Sequence, residues 1–241
     1  MSHHISPRSV TTYLSGTVQQ LGPFYPSVRD IRHSKLVQRT LQGCMKMCAL
    51  PTQRKQALPI SGLLRTVTHY SKSQLSHDDL LFVALLLKGF FSLLRLGEMV
   101  FPDDTNIRDW RKISRRRTVS ISTDQYSFQL PFHKADRFFA GNEVLVTQQI
   151  PEVNPILHFQ CYLSSRNSLM PLHSPLWLKG DGSILTRTFF LRHFHFFLGA
   201  EFGGQSLRAG GATFLAELGT PPNLIQARGR WSSTSEKIPR F

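Results

Sequence analysis

The chain has 241 residues and carries 29 Lys and Arg against 15 Asp and Glu, a formal charge of +14 before any of its 10 His is counted. At 41% hydrophobic and 18% charged it holds enough apolar material for a core, which excludes wholesale disorder. Its longest apolar run, residues 80–87, stops at Lys88, short of the roughly 18 residues a bilayer span needs. No charged start followed by an apolar stretch marks a secretory leader. Three cysteines, Cys44, Cys48 and Cys161, cannot build a disulfide framework and suit a reducing compartment. A strong positive excess in such a compartment points first to nucleic acid, because clustered Lys and Arg release counterions from phosphates.

The charge is uneven. Residues 1–75 hold ten Lys and Arg against one acid, Asp30. Within them, residues 28–48 place Val28, Ile31, Leu36, Leu41 and Met45 near the helical period with basic residues between, which predicts one amphipathic helix. Residues 49–59 have prolines towards both ends and a basic centre, the pattern of a linker, and set a boundary between a basic segment, residues 1–57, and a larger domain, residues 58–241. A short helix is expected over residues 61–70. Ser76, followed three residues later by Asp79, starts a long apolar helix reaching about residue 100. Residues 118–122, 126–132 and 143–148 are rich in Val, Ile, Phe and Thr and predict a small antiparallel sheet. Helices follow over residues 154–165, 186–198, 205–218 and 222–228. The expected class is α+β, mainly helical with one small sheet, preceded by a basic helical segment.

Two familiar kinds of site are weakly supported. Cys44 and Cys48 at i, i+4 and His193 and His195 in H-F-H-F-F lack a second pair at metal spacing, so packing explains them better and no metal or cofactor is expected. The Gly-rich residues 199–204 lack a following G-K-[ST] and read as a turn. Residues 108–117 carry six basic side chains and one acid around Trp110, a pattern that suits contact with a phosphate backbone. The sharper signal is a set of separated cations: Arg95 in L-L-R-L-G-E-M, Lys134 in P-F-H-K-A-D between two strands, Arg208 in Q-S-L-R-A-G-G-A-T, and after them Trp231 in G-R-W-S-S. Two arginines on buried helices and a lysine on a hairpin could clamp a phosphodiester whose oxygens gain charge in a transition state. Arg95 alone has an ordinary alternative, an ion pair with Glu98 at i+3.

Together these motifs resemble the catalytic domain of the tyrosine recombinases, the phage-integrase-like DNA breaking and rejoining enzymes, in the degenerate form found in eukaryotic mobile elements. The resemblance covers roughly residue 58 to the end, with residues 28–48 similar to the last helix of the family's DNA-clamping domain. It implies that Arg95 and Arg208 bind the scissile phosphate, that Lys134 is the general acid on the leaving hydroxyl, and that the Trp231 indole packs on the phosphate. Two positions depart from the pattern. Gln205 stands where the family has a histidine, and can donate a hydrogen bond but not shuttle a proton near neutral pH. Pro239, in E-K-I-P-R-F, stands where the family has its nucleophilic tyrosine, and none of the five tyrosines follows Trp231.

The expectation is a DNA-binding protein of recombinase descent, truncated at the C-terminus and unable to cleave alone. Its partner would be double-stranded DNA, with self-assembly on DNA compatible and no membrane, in a nuclear setting. The DNA backbone would meet Arg29, Arg32, Lys35, Arg39, Arg54 and Lys55 in the first segment and Arg111, Lys112, Arg115, Arg116 and Arg117 in the second. Two alternatives stay open: an active recombinase whose tyrosine comes from a longer C-terminus or in trans, and a basic helical interaction protein with a coincidental resemblance.

Overall fold

A computed structural model describes residues 5–48, 55–71, 74–132, 139–148 and 150–231. Arg54, Lys134 and Pro239 lie outside these residues. Backbone contacts divide the chain into two compact units, residues 1–54 and 55–241.

In the first unit the sequence builds more helix than its pattern suggested. Helix α1, Pro7–Leu21, was not expected, although it opens with Pro in its first turn after Ser6, a good helix-starting pair. The single helix expected over residues 28–48 is two, α2 (Val28–His33) and α3 (Lys35–Cys48). Ser34 makes the break: its backbone is extended at φ −60° and ψ 149°, and its hydroxyl accepts the Val37 N–H at 3.4 Å. A serine that can cap the following turn competes with helix continuation. The three helices pack on one another, yet α2 and α3 bury no residue, and Leu36 is 77% and Met47 86% exposed.

The second unit is α+β. Helix α4 (Ile60–Tyr70) precedes α5 (His77–Phe91), which is buried nearly all round from Leu81 onward. A capping box opens α5: the Ser76 hydroxyl accepts the Asp79 N–H at 3.2 Å and the Asp79 carboxylate accepts the Ser76 N–H at 3.1 Å. The long helix expected to reach residue 100 instead stops at Phe91 and restarts as α6 (Leu96–Met99). Strands β1 (Ser120–Ile121), β2 (Gln125–Leu130) and β3 (Asn142–Thr147) form an antiparallel sheet in sequence order. Register pairs Tyr126 with Val146 and Phe128 with Val144, so all four turn into the core.

Helix α7 (Pro155–Leu169) is capped by Asn154, whose side-chain oxygen accepts the N–H groups of Ile156 and Leu157. It packs on α5 and brings Phe159 against Tyr126, ring centroids 4.0 Å apart. Helices α8 (Arg187–Leu198), α9 (Ser206–Glu217) and α10 (Pro222–Gly229) complete the unit. His193 stacks on Phe82 with centroids 5.4 Å apart, and its Nδ1 contacts the Phe189 carbonyl, so it belongs to aromatic packing. Arg166, fully buried, donates to the carbonyls of Met170, His173 and Pro175 and pins the loop after α7. No helix among the described residues is long and apolar enough to cross a membrane.

Candidate phosphate site

The break after α5 creates the site. Leu93 takes a left-handed backbone, φ 51°, while its fully buried side chain packs with Ala212, Leu215 and Ile225 of α9 and α10. A non-glycine residue is strained there, and packing on both helices offsets the strain. The turn leaves the Leu93 carbonyl outside any helical ladder and places Arg95 at the N-cap of α6.

Glu98 then organises the arginine. Its carboxylate accepts the Arg95 backbone N–H at 2.9 Å and pairs with Arg95 Nη1 at 3.1 Å, which is the i+3 pairing the spacing allows. The same carboxylate, only 5% exposed, reaches Arg230 Nη2 at 3.4 Å. One buried acid therefore sits between two guanidinium groups drawn from the start of α6 and the end of α10. Burial lowers the Arg230 pKa, Glu98 works against that, and the neighbouring Arg95 adds to the lowering.

Arg208 comes from α9 and ties the same two segments together. It is buried, donating Nη1 to the Leu93 carbonyl at 2.8 Å and Nη2 to the Gly229 carbonyl at 2.6 Å. Its guanidinium carbon lies 5.2 Å from the Trp231 ring centroid. The two glycines after it explain how α9 comes so close. A Cβ on Gly210 would collide with the Leu58 backbone, and one on Gly211 with the Phe90 carbonyl. Gly229 is similarly required, since a Cβ there would stand 2.9 Å from the Trp231 ring.

Arg95, Arg208 and Trp231 thus gather around one turn, and Arg230, which sequence reasoning did not single out, joins them. Its signal was available: it lies beside Trp231 in G-R-W, and its left-handed φ of 54° at the C-cap of α10 fits the stop after Gly229. Gln205 stands at the N-cap position of α9 with its side chain exposed and making no capping hydrogen bond, next to Gly204, where a Cβ would meet Leu96 at 2.6 Å. Lys134 falls in the connection between β2 and β3, outside the described residues. Both ends of that connection are braced by cations: Lys112 over Phe132 at 4.4 Å and Arg111 over Phe139 at 4.4 Å.

The other cationic candidates are spread over surfaces of each unit. Arg29, Lys35 and Arg39 are exposed and Arg32 is half-buried. Lys55 is exposed and donates to the Ala200 carbonyl. Part of the Arg-rich run does structural work: Arg111 pairs with Asp109 at 2.9 Å, Arg115 donates to the Ser174 hydroxyl and Arg116 to the Asn167 amide oxygen, each at 3.0 Å. Arg117 is exposed. Among the described residues no group of three His, Cys, Asp or Glu could hold a metal ion.

No protein-family model matches the sequence, and no curated protein matches it. Solved structures do. The chain is similar to the XerH site-specific recombinase bound to its difH substrate in a pre-cleavage complex, with a TM-score of 0.56 and 16% identity over 99% of this chain and 68% of that one. A post-cleavage XerH complex on palindromic difH gives a TM-score of 0.55 and 14% identity over 98% and 67%. The XerA recombinase gives 0.52 and 14% over 98% and 79%. At such identities the likeness speaks to architecture, and the chain has the fold of the tyrosine recombinases.

Proposed function

We propose that this protein is a degenerate descendant of the tyrosine recombinases, of the mobile-element kind, that grips a phosphodiester of duplex DNA and does not cleave it by itself. The observation that carries the reading is the convergence of Arg95, Arg208 and Trp231, far apart in sequence, on one turn after the core helix, with Arg230 and Glu98 beside them. Guanidinium forks match the paired oxygens of a phosphate, and an indole over a guanidinium orients it. The basic residues at 29–55 and 108–117 supply further contacts to the backbone, in an assembly of copies on DNA within the nucleus.

Chemistry stops for want of a nucleophile. Strand transfer needs an oxygen held in line with phosphorus, and Pro239 offers none at the position matching the family tyrosine. Gln205 can hydrogen-bond a phosphate oxygen without relaying a proton. A nicked suicide duplex, which traps any covalent intermediate, tests this. We expect bound DNA and no protein–DNA adduct surviving denaturation; an adduct formed by the unmodified chain would overturn the silent-site reading and call for a nucleophile elsewhere.

A further inference from the structure

A cavity of about 330 Å³ opens between the C-terminal end of α10 and the start of β3, where Ser92, Asn142, Glu143, Arg228 and Arg230 line it. Its wall is tied by the Ser92 hydroxyl, which donates to the Leu145 carbonyl at 3.3 Å. Arg228 is half-buried, and burial alone lowers its pKa. No hydrogen bond or ion pair joins it to a described residue. Glu143 lines the same cavity and forms an ion pair with neither arginine among the described residues. Arg230 is committed through Nη2 to Glu98 and the Ser92 carbonyl, whereas its buried Nε has no hydrogen-bond partner.

A desolvated guanidinium without a partner is unfavourable, and Arg228 also faces the charge of Arg230, which is already committed to Glu98. The volume reaches the lower end of the roughly 300–1,000 Å³ typical of ligand pockets, room for a sugar with its phosphate. We infer that this cavity seats a second phosphodiester of the bound DNA, separate from the one at Arg95 and Arg208, with the Arg228 fork as its donor and the positive charge of Arg230 beside it. The inference rests on the DNA reading and adds a contact that the recombinase-like motifs do not contain. It makes Arg228, which no motif singled out, a binding residue.

The test uses the full chain and a mixed-sequence duplex, with affinity measured across a salt series for the wild type, Arg228→Gln and Arg228→Lys. Loss of one phosphate contact should lower the log–log salt slope by about 0.9 in Arg228→Gln. Arg228→Lys should keep the slope, because a point charge still neutralises the phosphate. The thermal midpoint of Arg228→Gln should equal or exceed the wild-type value, since a costly unpaired charge has gone. An unchanged slope in Arg228→Gln with normal wild-type binding overturns the second-phosphate site and leaves the DNA reading intact. A lowered midpoint overturns it too, by making Arg228 structural. No wild-type binding to duplex overturns both readings. A thermal shift by inorganic phosphate, present in the wild type and lost in Arg228→Gln, would then assign the cavity to free phosphate instead.

Discussion

Lys88 is a charge in the wrong medium. It stands on α5 with 1% of its surface exposed, its ammonium 3.9 Å from the Trp177 ring centroid and 5.3 Å from that of Phe128. Burial drives its pKa well below the ordinary lysine value, and Glu98 opposes this. The unfolded chain, with lysine near 10.4, therefore binds more protons than the native protein between the depressed native value and that figure. Stability rises with pH through that window and is lowest below it. Urea unfolding at pH 7 and pH 10 should show the wild type gaining on Lys88→Met as pH rises; a gap independent of pH would contradict the assignment. Arg208 carries the opposite expectation. Its two hydrogen bonds to described residues hold carbonyls from separate segments, and charged donors contribute about 1.5–3 kcal/mol each. Arg208→Met should cost about 3 kcal/mol or more in chemical unfolding, and Arg208→Lys, which has no planar fork to span both carbonyls, should recover only part.

At the scale of elements, the site depends on α9 lying directly on the end of α5. Gly211→Ala would drive a methyl into the Phe90 carbonyl, a backbone atom that cannot swing aside, and overpacking of this kind costs about 1–3 kcal/mol. At Gly97 in α6 a Cβ meets nothing within 4 Å, so Gly97→Ala should be neutral or stabilise by up to about 1 kcal/mol. Calorimetric midpoints of the two variants should move in opposite directions or by clearly different amounts; equal losses would contradict the packing role. The same elements show how far the sequence could be read. The sheet, α5 and the later helices were legible because alternation, apolar runs and a Ser-x-x-Asp start are local signals. The break at residues 92–95 was not, because no Gly or Pro marks it: Leu93 is forced into its left-handed turn by burial against α9 and α10, a long-range cause. Ser34 and α1 escaped for a milder reason, since polar helices with little burial leave a faint apolar period.

For the molecule as a whole, the motif positions Arg95, Arg208 and Trp231 could be picked from the sequence because each sits in a distinctive string, whereas Arg230 and the sharing of Glu98 became visible only once α6 and α10 met. Charge tells the same story at larger scale: +14 suits a polyanionic partner, without saying where one would lie. Arg111, Arg115 and Arg117, the cations proposed for backbone contact, are exposed, and Arg111 also braces Phe139. The central claim is that a phosphate of duplex DNA is held by the cluster around Arg95. Its most direct measurement is duplex affinity across a salt series for the full chain and for Arg95→Gln, which keeps Glu98 paired through Arg230. We expect wild-type affinity to fall linearly on logarithmic axes with a slope of several units, and Arg95→Gln to bind more weakly with a slope shallower by about 0.9. Wild-type affinity indifferent to salt, or an Arg95→Gln protein that binds with the wild-type affinity and slope, would contradict it.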